Sequence, residues 1–119
     1  MGTSELYTVV EELPEVSDSL VVHLEDDDEL VLFVVADLDD DLRAKIAGAL
    51  RSQLSPRHVP DTIAAVPAIP RTLTGKKLEA PVKRILRGAP AGSVASRGAL
   101  AEPRAIDAFV QFTKERGRG

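Results

Sequence analysis

The sequence predicts an α+β domain: a small three-stranded sheet, mixed or antiparallel, with a β-hairpin and flanking helices. Its 119 residues, with a mass of 12.8 kDa, leave room for one hydrophobic core. Apolar residues recur at helical spacing in four segments, and three other segments are apolar runs of strand length. Three or more strands together with about four helices indicate an α+β fold.

The first helix is predicted close to the N-terminus. Its apolar residues follow the spacing i, i+3, i+4, i+7 of one helix face and are Leu6, Val9, Val10 and Leu13. Thr3 or Ser4 is expected to cap this helix, and Pro14 lies close to its end.

Two segments rich in Val and Leu, residues 19–24 and 30–36, predict a β-hairpin. The consecutive acidic residues 25–29 between them are expected to form its turn. Consecutive acids in a turn point in different directions, and no His or Asn completes a calcium-loop pattern. A solvated turn is therefore favoured over a metal site.

A second helix is expected to open at the acidic residues 39–41, because negative charge suits the positive end of a helix dipole. Its apolar stripe comprises Leu42, Ile46, Ala49, Leu50 and Leu54. Pro56 is expected to end this helix. Residues 62–66, between two prolines, predict a short third strand.

A loop that holds proline, threonine and glycine is predicted at residues 67–77. Helical spacing returns after it, in Leu78, Val82, Ile85 and Leu86. Pro81 fits this third helix only in its first turn. The Gly, Ala, Pro and Ser of residues 88–98 predict a linker or an extended arm, and residues 116–119 are expected to fray. A short final helix is expected around Ile106, Phe109 and Val110.

The composition excludes several classes of function. The chain has no cysteine, which removes disulfide scaffolds, thiolate zinc sites and cysteine nucleophiles and fits a cytoplasmic location. No apolar run approaches the roughly 18 residues of a membrane-spanning helix, and no signal peptide is visible. With three Phe, one Tyr and no Trp, the chain has little to stack on bases, so nucleic-acid binding is not expected.

The net charge of −4 conceals two parts of opposite sign. Residues 1–70 carry 4 Lys and Arg against 15 Asp and Glu, whereas residues 71–119 carry 11 against 4. The basic part can attract phosphates or an acidic partner surface. On charge alone, a solvated face is the simpler interpretation.

The segment from Pro70 to Lys77 is the most informative for chemistry. Glycine lets a backbone turn with positive φ, and the lysine ends in a mobile positive charge, so Gly75 and Lys76 suit contact with an anion. The segment is not a P-loop, since the earlier glycine is missing and Lys77 stands where Ser or Thr is needed. From the residues alone, an ordinary turn with an exposed lysine remains the alternative.

The motif Pro70-x-Thr72-x-Thr74-Gly75-Lys76 resembles the last core motif of the adenylate-forming enzymes, the superfamily of acyl-CoA synthetases, luciferases and peptide-synthetase adenylation domains. The N-terminal residues 1–6 look like the segment just after that superfamily's hinge. Residues 54–61, 66–70 and 78–84 resemble one branch of it, the acetoacetyl-CoA synthetases. Residues 78–82 depart from the acetyl-CoA branch, which is more basic there.

This resemblance implies that residues 1–87 are the C-terminal lid of a two-domain ligase and that residues 88–119 are an extension with a short helix. A large N-terminal domain of the same parent chain would hold ATP, Mg²⁺ and the acyl pocket. The implied reaction converts acetoacetate and ATP into acetoacetyl-adenylate and pyrophosphate, and coenzyme A then displaces AMP from the adenylate. The lid is not expected to catalyse alone.

The resemblance also assigns roles to single residues. Lys76 matches the catalytic lysine of adenylate formation, and its acetylation by a protein acetyltransferase, reversed by a deacetylase, is expected to silence the enzyme. Thr74 and Gly75 would shape the nucleotide-facing loop. Arg51 aligns with an arginine near the coenzyme A phosphate, with a surface helix arginine as the alternative. No metal-binding residue is expected.

The remaining candidate residues have less specific predicted roles. Arg57 and His58 either set the conformation of a loop flanked by prolines or border the nucleotide-facing side. His23 is expected to be a surface imidazole, because a lone histidine lacks partner ligands. Two rival functions stay open: the lid of another short-chain synthetase, for acetate or propionate, and an interaction module that docks an acidic partner through residues 71–118.

Overall fold

The computed structural model describes residues 3–25, 28–88 and 105–115, which divide into two units at Val66 and Pro67. The first unit contains, in chain order, α1 (Thr3–Glu11), β1 (Asp18–Leu24), β2 (Glu29–Val35), α2 (Asp40–Gln53), a 3-10 helix (Pro56–His58) and β3 (Thr62–Ala65). The second contains α3 (Glu79–Leu86) and α4 (Ala105–Glu115). The predicted α+β class is confirmed.

The three strands form one mixed sheet in the order β1-β2-β3. β1 and β2 pair antiparallel, from Asp18 opposite Val35 to Leu24 opposite Glu29, which confirms the predicted hairpin. β3 pairs parallel to β2. Parallel neighbours need a long crossover connection, and α2 lies in that connection.

The core of the first unit lies between the sheet and helices α1 and α2. Its buried members from these elements are Leu6, Val9, Val10, Val21, Leu30, Leu32, Val34, Leu42, Ile46 and Leu50. The strand residues of opposite parity, Leu20, Val22, Val31 and Phe33, are also buried. Burial on both faces explains why the two strands are nearly continuous apolar runs.

Helix α1 supplies polar groups to β1, which is an edge strand of the sheet. The Tyr7 hydroxyl accepts a hydrogen bond from the backbone N–H of Val21 at 3.0 Å. The fully buried Ser19 donates its hydroxyl proton to the Glu11 carboxylate at 2.5 Å. The first bond satisfies a backbone group that a bare sheet edge would leave unpaired, and the second satisfies a buried hydroxyl.

The helix ends follow the predictions in part. Asp39 caps α2, since its carboxylate accepts a hydrogen bond from the Leu42 N–H at 2.8 Å. The cap predicted for α1 is wrong in its position: the helix already includes Thr3 and Ser4, so both lie in its first turn. α1 ends at Glu11, ahead of Pro14.

In the second unit, helices α3 and α4 pack against each other. Their buried residues are Val82, Ile85, Leu86, Ala105, Ile106, Phe109 and Thr113. Pro81 lies in the first turn of α3, as predicted, and Gly88 ends that helix with a φ of 102°. No helix among the described residues is long and apolar enough to cross a bilayer.

Three predicted features fall at least partly outside the described residues. They are the linker beyond Gly88, residues 26–27 of the acidic turn, and the ending at 116–119.

Candidate functional site

Residues 70–78, named the lysine loop below, form a short hairpin-like turn in the second unit. Its base is closed by a bridge between Arg71 and Lys77 and by a hydrogen bond from the Leu78 N–H to the Pro70 carbonyl at 3.1 Å. The Arg71 guanidinium also donates to the Gly75 carbonyl at 2.6 Å. The loop is therefore held in shape by bonds within itself.

Thr72 makes the largest share of these bonds. Its N–H donates to the Lys76 carbonyl and its carbonyl accepts from the Gly75 N–H, each at 2.9 Å. Its hydroxyl oxygen accepts from the Lys76 N–H at 3.1 Å and lies 2.9 Å from the Thr74 hydroxyl oxygen. The sequence analysis did not predict this role. Threonine hydroxyls often form hydrogen bonds with nearby backbone groups in turns, so the presence of Thr72 could have indicated it.

Gly75 lies where the loop reverses direction. Its φ is 91°, a conformation that residues with a Cβ rarely adopt. A Cβ built on it would meet no atom within 4 Å, so only the backbone conformation, and not crowding, calls for glycine. Thr74 beside it is exposed.

Lys76 is exposed, and no described residue bonds its ammonium group. Its backbone is held at both the N–H and the carbonyl by Thr72, and its exposed side chain takes no part in these bonds. A point charge on a long stem, fixed at its base, can be carried to an anionic group on another surface.

Arg51 lies in the last turn of α2, in the first unit, and is exposed. A cation at a helix C-terminus is favoured by the helix dipole, which is the alternative explanation for this arginine. None of the described residues pairs with its guanidinium group. Arg51 thus remains available to an external anion.

Arg57 and His58 lie in the 3-10 helix after α2. The His58 ring nitrogen Nδ1 is 2.8 Å from the Ser55 hydroxyl, so His58 helps set the conformation of this segment. Asp61 anchors the segment to β2, since its carboxylate accepts from the Leu30 N–H at 2.7 Å and its own N–H donates to the Leu30 carbonyl at 2.8 Å.

An open cavity of about 490 Å³ lies at this end of the first unit. It is lined by His23, Asp28, Leu30, Pro56, Arg57, Val59 and Asp61. The exposed His23 is 3.4 Å from the Asp28 carboxylate. Among residues 3–25, 28–88 and 105–115, no three His, Asp or Glu side chains are grouped so that they could hold a metal ion.

The fold and the lysine loop together define the class of this protein. The sequence profile of the AMP-binding enzyme C-terminal domain matches residues 5–76, more than half of the chain, and its match ends on Lys76. The chain belongs to the AMP-binding enzyme C-terminal domain family.

Similar proteins point to one branch of that family. Acetoacetyl-coenzyme A synthetase of Rhizobium meliloti is 42% identical over 116 residues, which cover 92% of this chain and 17% of that protein. Acetoacetyl-CoA synthetase of Caenorhabditis elegans is 39% identical over 120 residues and is also matched over 17% of its length. The chain thus spans about a sixth of these relatives.

A solved structure agrees with this likeness. The acetoacetyl-CoA synthetase from Streptomyces lividans superposes on this chain with a TM-score of 0.91 at 41% identity. The superposition covers 98% of this chain and 18% of that one. The resemblance that the motifs suggested is confirmed over almost the whole chain.

Proposed function

We propose that this chain is the C-terminal domain of a longer ATP-dependent acetoacetate–CoA ligase and that Lys76 is its catalytic residue in adenylate formation. One observation carries the proposal: the family motif ends in an exposed lysine whose backbone is braced within the loop. The likeness to acetoacetyl-CoA synthetases along the chain supports the choice of acetoacetate as substrate.

In the first half-reaction, a carboxylate oxygen of acetoacetate attacks the α-phosphorus of ATP. The bond from phosphorus to the bridging oxygen breaks, and pyrophosphate leaves with that electron pair. Negative charge builds on the α-phosphate during this step. The Lys76 ammonium bridges the carboxylate and the α-phosphate, so it positions the reactants and stabilises the developing charge.

In the second half-reaction, the thiol of coenzyme A attacks the acyl carbon of the adenylate, and AMP leaves. We propose that the domain rotates between the two steps, which withdraws Lys76 and presents another face to coenzyme A. Arg51, exposed and without a partner among the described residues, contributes a phosphate contact on that face. Thr74 and Gly75 shape the nucleotide-facing loop.

We assign the remaining machinery to a large N-terminal domain of the parent chain. That domain holds ATP, Mg²⁺ and the acyl group, and the isolated C-terminal domain is inactive. Residues 1–87 form the lid and residues 88–119 its extension. The packing of α4 on α3 supports an extension that is attached to the lid.

Acetylation of Lys76 would control the first step. The modification removes the positive charge and places an uncharged acetyl group on the amine nitrogen. The exposure of Lys76 supports its access to an acetyltransferase and a deacetylase. Adenylation stops in the acetylated enzyme, whereas coenzyme A transfer to a supplied adenylate continues.

The two half-reactions of the full-length enzyme test these roles. Lys76→Ala is expected to lower the adenylation rate by about 10²–10³-fold, because one charge-stabilising donor is lost, while transfer from supplied acetoacetyl-adenylate to coenzyme A is largely kept. Lys114→Ala, which removes another exposed lysine, is the control. In the same assay, Arg51→Ala raises the KM for coenzyme A, and Arg43→Ala on the same helix does not.

Unchanged adenylation in the Lys76→Ala enzyme contradicts the proposal. Acetoacetate, acetate and propionate are compared as substrates of the unmodified enzyme. A preference for acetate or propionate would assign the domain to another short-chain acyl-CoA ligase. An interaction module would show neither half-reaction defect, only partner binding that weakens with salt.

A further inference from the structure

Leu73 is an unusual residue for the surface of this domain. It is the one large hydrophobic residue that is strongly exposed in the part of the chain that the structure describes, with 70% of its surface accessible. Single exposed leucines are common on protein surfaces. Leu73 differs from them in its position, at the turn of the lysine loop and three residues before Lys76.

The fold does not need an apolar residue at this position. The lysine loop is closed by hydrogen bonds of the Thr72 backbone and hydroxyl and of the Arg71 guanidinium. None of these bonds involves the Leu73 side chain. A polar residue at position 73 would leave all of them in place and would remove apolar surface from water.

The braced turn presents Leu73 and Lys76 together. Thr72 bonds the backbone of Gly75 and Lys76, so the residues between Thr72 and Lys76 move as one piece. Whatever surface receives the Lys76 ammonium during adenylation must therefore also lie close to Leu73. That surface is expected in the part of the longer relatives that this chain does not match, which is about five-sixths of their length.

We propose that Leu73 inserts into an apolar recess of the large N-terminal domain when the lysine loop docks for adenylation, and that it is a positioning residue for Lys76. This inference rests on the proposed function. A long flexible lysine side chain does not fix the loop that carries it, whereas burial of a leucine near its base favours one docked position. The contact is lost when the domain rotates for the second half-reaction.

The test uses the full-length enzyme and measures both half-reactions. Leu73→Ala is expected to lower the adenylation rate about tenfold, and Leu73→Asp further, because the docked state loses the burial of one aliphatic side chain. Leu73→Met keeps an apolar side chain of similar size and is expected to stay within about twofold of the unmodified enzyme. Transfer from supplied acetoacetyl-adenylate to coenzyme A stays within about twofold in all three variants.

Two controls separate docking from other effects. Ala44→Asp places the same new charge on an exposed residue of α2 and is expected to leave both half-reactions within about twofold. The thermal unfolding midpoint of Leu73→Asp is expected to match that of the unmodified enzyme, because the residue makes no buried contact.

The outcomes distinguish the two proposals. If Lys76→Ala lowers the adenylation rate by about 10²–10³-fold while Leu73→Ala and Leu73→Asp keep it within about twofold, docking by Leu73 is wrong and the proposed function stands. Equal loss of both half-reactions, or a lowered unfolding midpoint, assigns Leu73 a structural role and also overturns docking. If Lys76→Ala leaves adenylation unchanged, both the proposed function and docking by Leu73 are wrong.

Discussion

Gly75 shows how a single backbone conformation determines the shape of the lysine loop. Its φ of 91° lets the chain turn between Thr72 and Lys76, and the Gly75 N–H and carbonyl are both bonded within the loop. Gly48, in contrast, lies inside α2, where a Cβ would meet no atom within 4 Å. The two glycines therefore respond to alanine in opposite ways.

Gly75→Ala is expected to destabilise the domain by about 1–3 kcal/mol, because alanine is strained at this φ. Gly48→Ala is expected to stabilise it by about 0.5–1 kcal/mol, since alanine has the higher helix propensity and lowers the entropy of the unfolded chain. Urea unfolding of the unmodified chain and both variants measures the two changes. Equal stability of all three proteins would show that the turn does not depend on a positive φ.

The site residues were predictable to different degrees at this scale. Lys76 and Gly75 stand in a local motif that resembles the family's last core motif, so this resemblance made them candidate residues, and their roles stay predictions. The bracing bonds of Thr72 and the exposure of Leu73 depend on how the turn folds, and no residue spacing encodes them.

Elements that are distant in sequence are joined in the first unit by polar pairs as well as by the core. The Lys45 ammonium of α2 donates to the Glu15 carboxylate, which follows α1, at 2.7 Å. This hydrogen bond, reinforced by the backbone N–H of Glu15, holds the pKa of Glu15 below its ordinary value of 4.5.

A lowered pKa links this pair to the pH dependence of stability. The contribution of Glu15 to the free energy of unfolding is fully present above pH 4.5. It is lost as the pH falls through the lower pKa that Glu15 has in the folded protein. Lys45→Gln is therefore expected to raise the pKa of Glu15 toward 4.5, as followed by NMR titration of its carboxyl carbon.

The same variant is less stable than the unmodified protein at about pH 7, and the difference shrinks as the pH falls through the pKa of Glu15 in the folded unmodified protein, because protonation removes the charge that Lys45 pairs with. The pair is exposed, so added salt reduces the difference. Lys114→Gln serves as the control. A carboxyl pKa that does not respond to Lys45→Gln contradicts the role of this pair.

At the scale of the whole molecule, the most informative property is the length of this chain compared with that of its relatives. The chain matches about a sixth of the length of acetoacetyl-CoA synthetases, and its family is that of a C-terminal domain. The proposed parent must therefore supply the nucleotide and acyl sites. In the proposed parent enzyme, the opposite charges of residues 1–70 and 71–119 both lie in one domain, so docking to a separate acidic partner is not needed to explain them.

This proposal predicts the mass of the native protein. An antibody against the domain is expected to detect a single band several times heavier than 12.8 kDa on a denaturing blot of source-cell extract. A band at about 12.8 kDa would mean that the domain exists alone, in which case catalysis requires a separate large subunit. The interaction-module alternative would then gain support.

The sequence alone determined the elements of this protein, its family motif and the position of Lys76, because helix stripes, strand runs and a turn motif depend on spacing between near neighbours. Tertiary structure decided the rest. The parallel pairing of β3 with β2, the bonds between Asp61 and Leu30 and the bond from Val21 to Tyr7 join residues 14 to 31 positions apart. Such contacts form only when the chain folds back on itself, so no local pattern specifies which partners will meet.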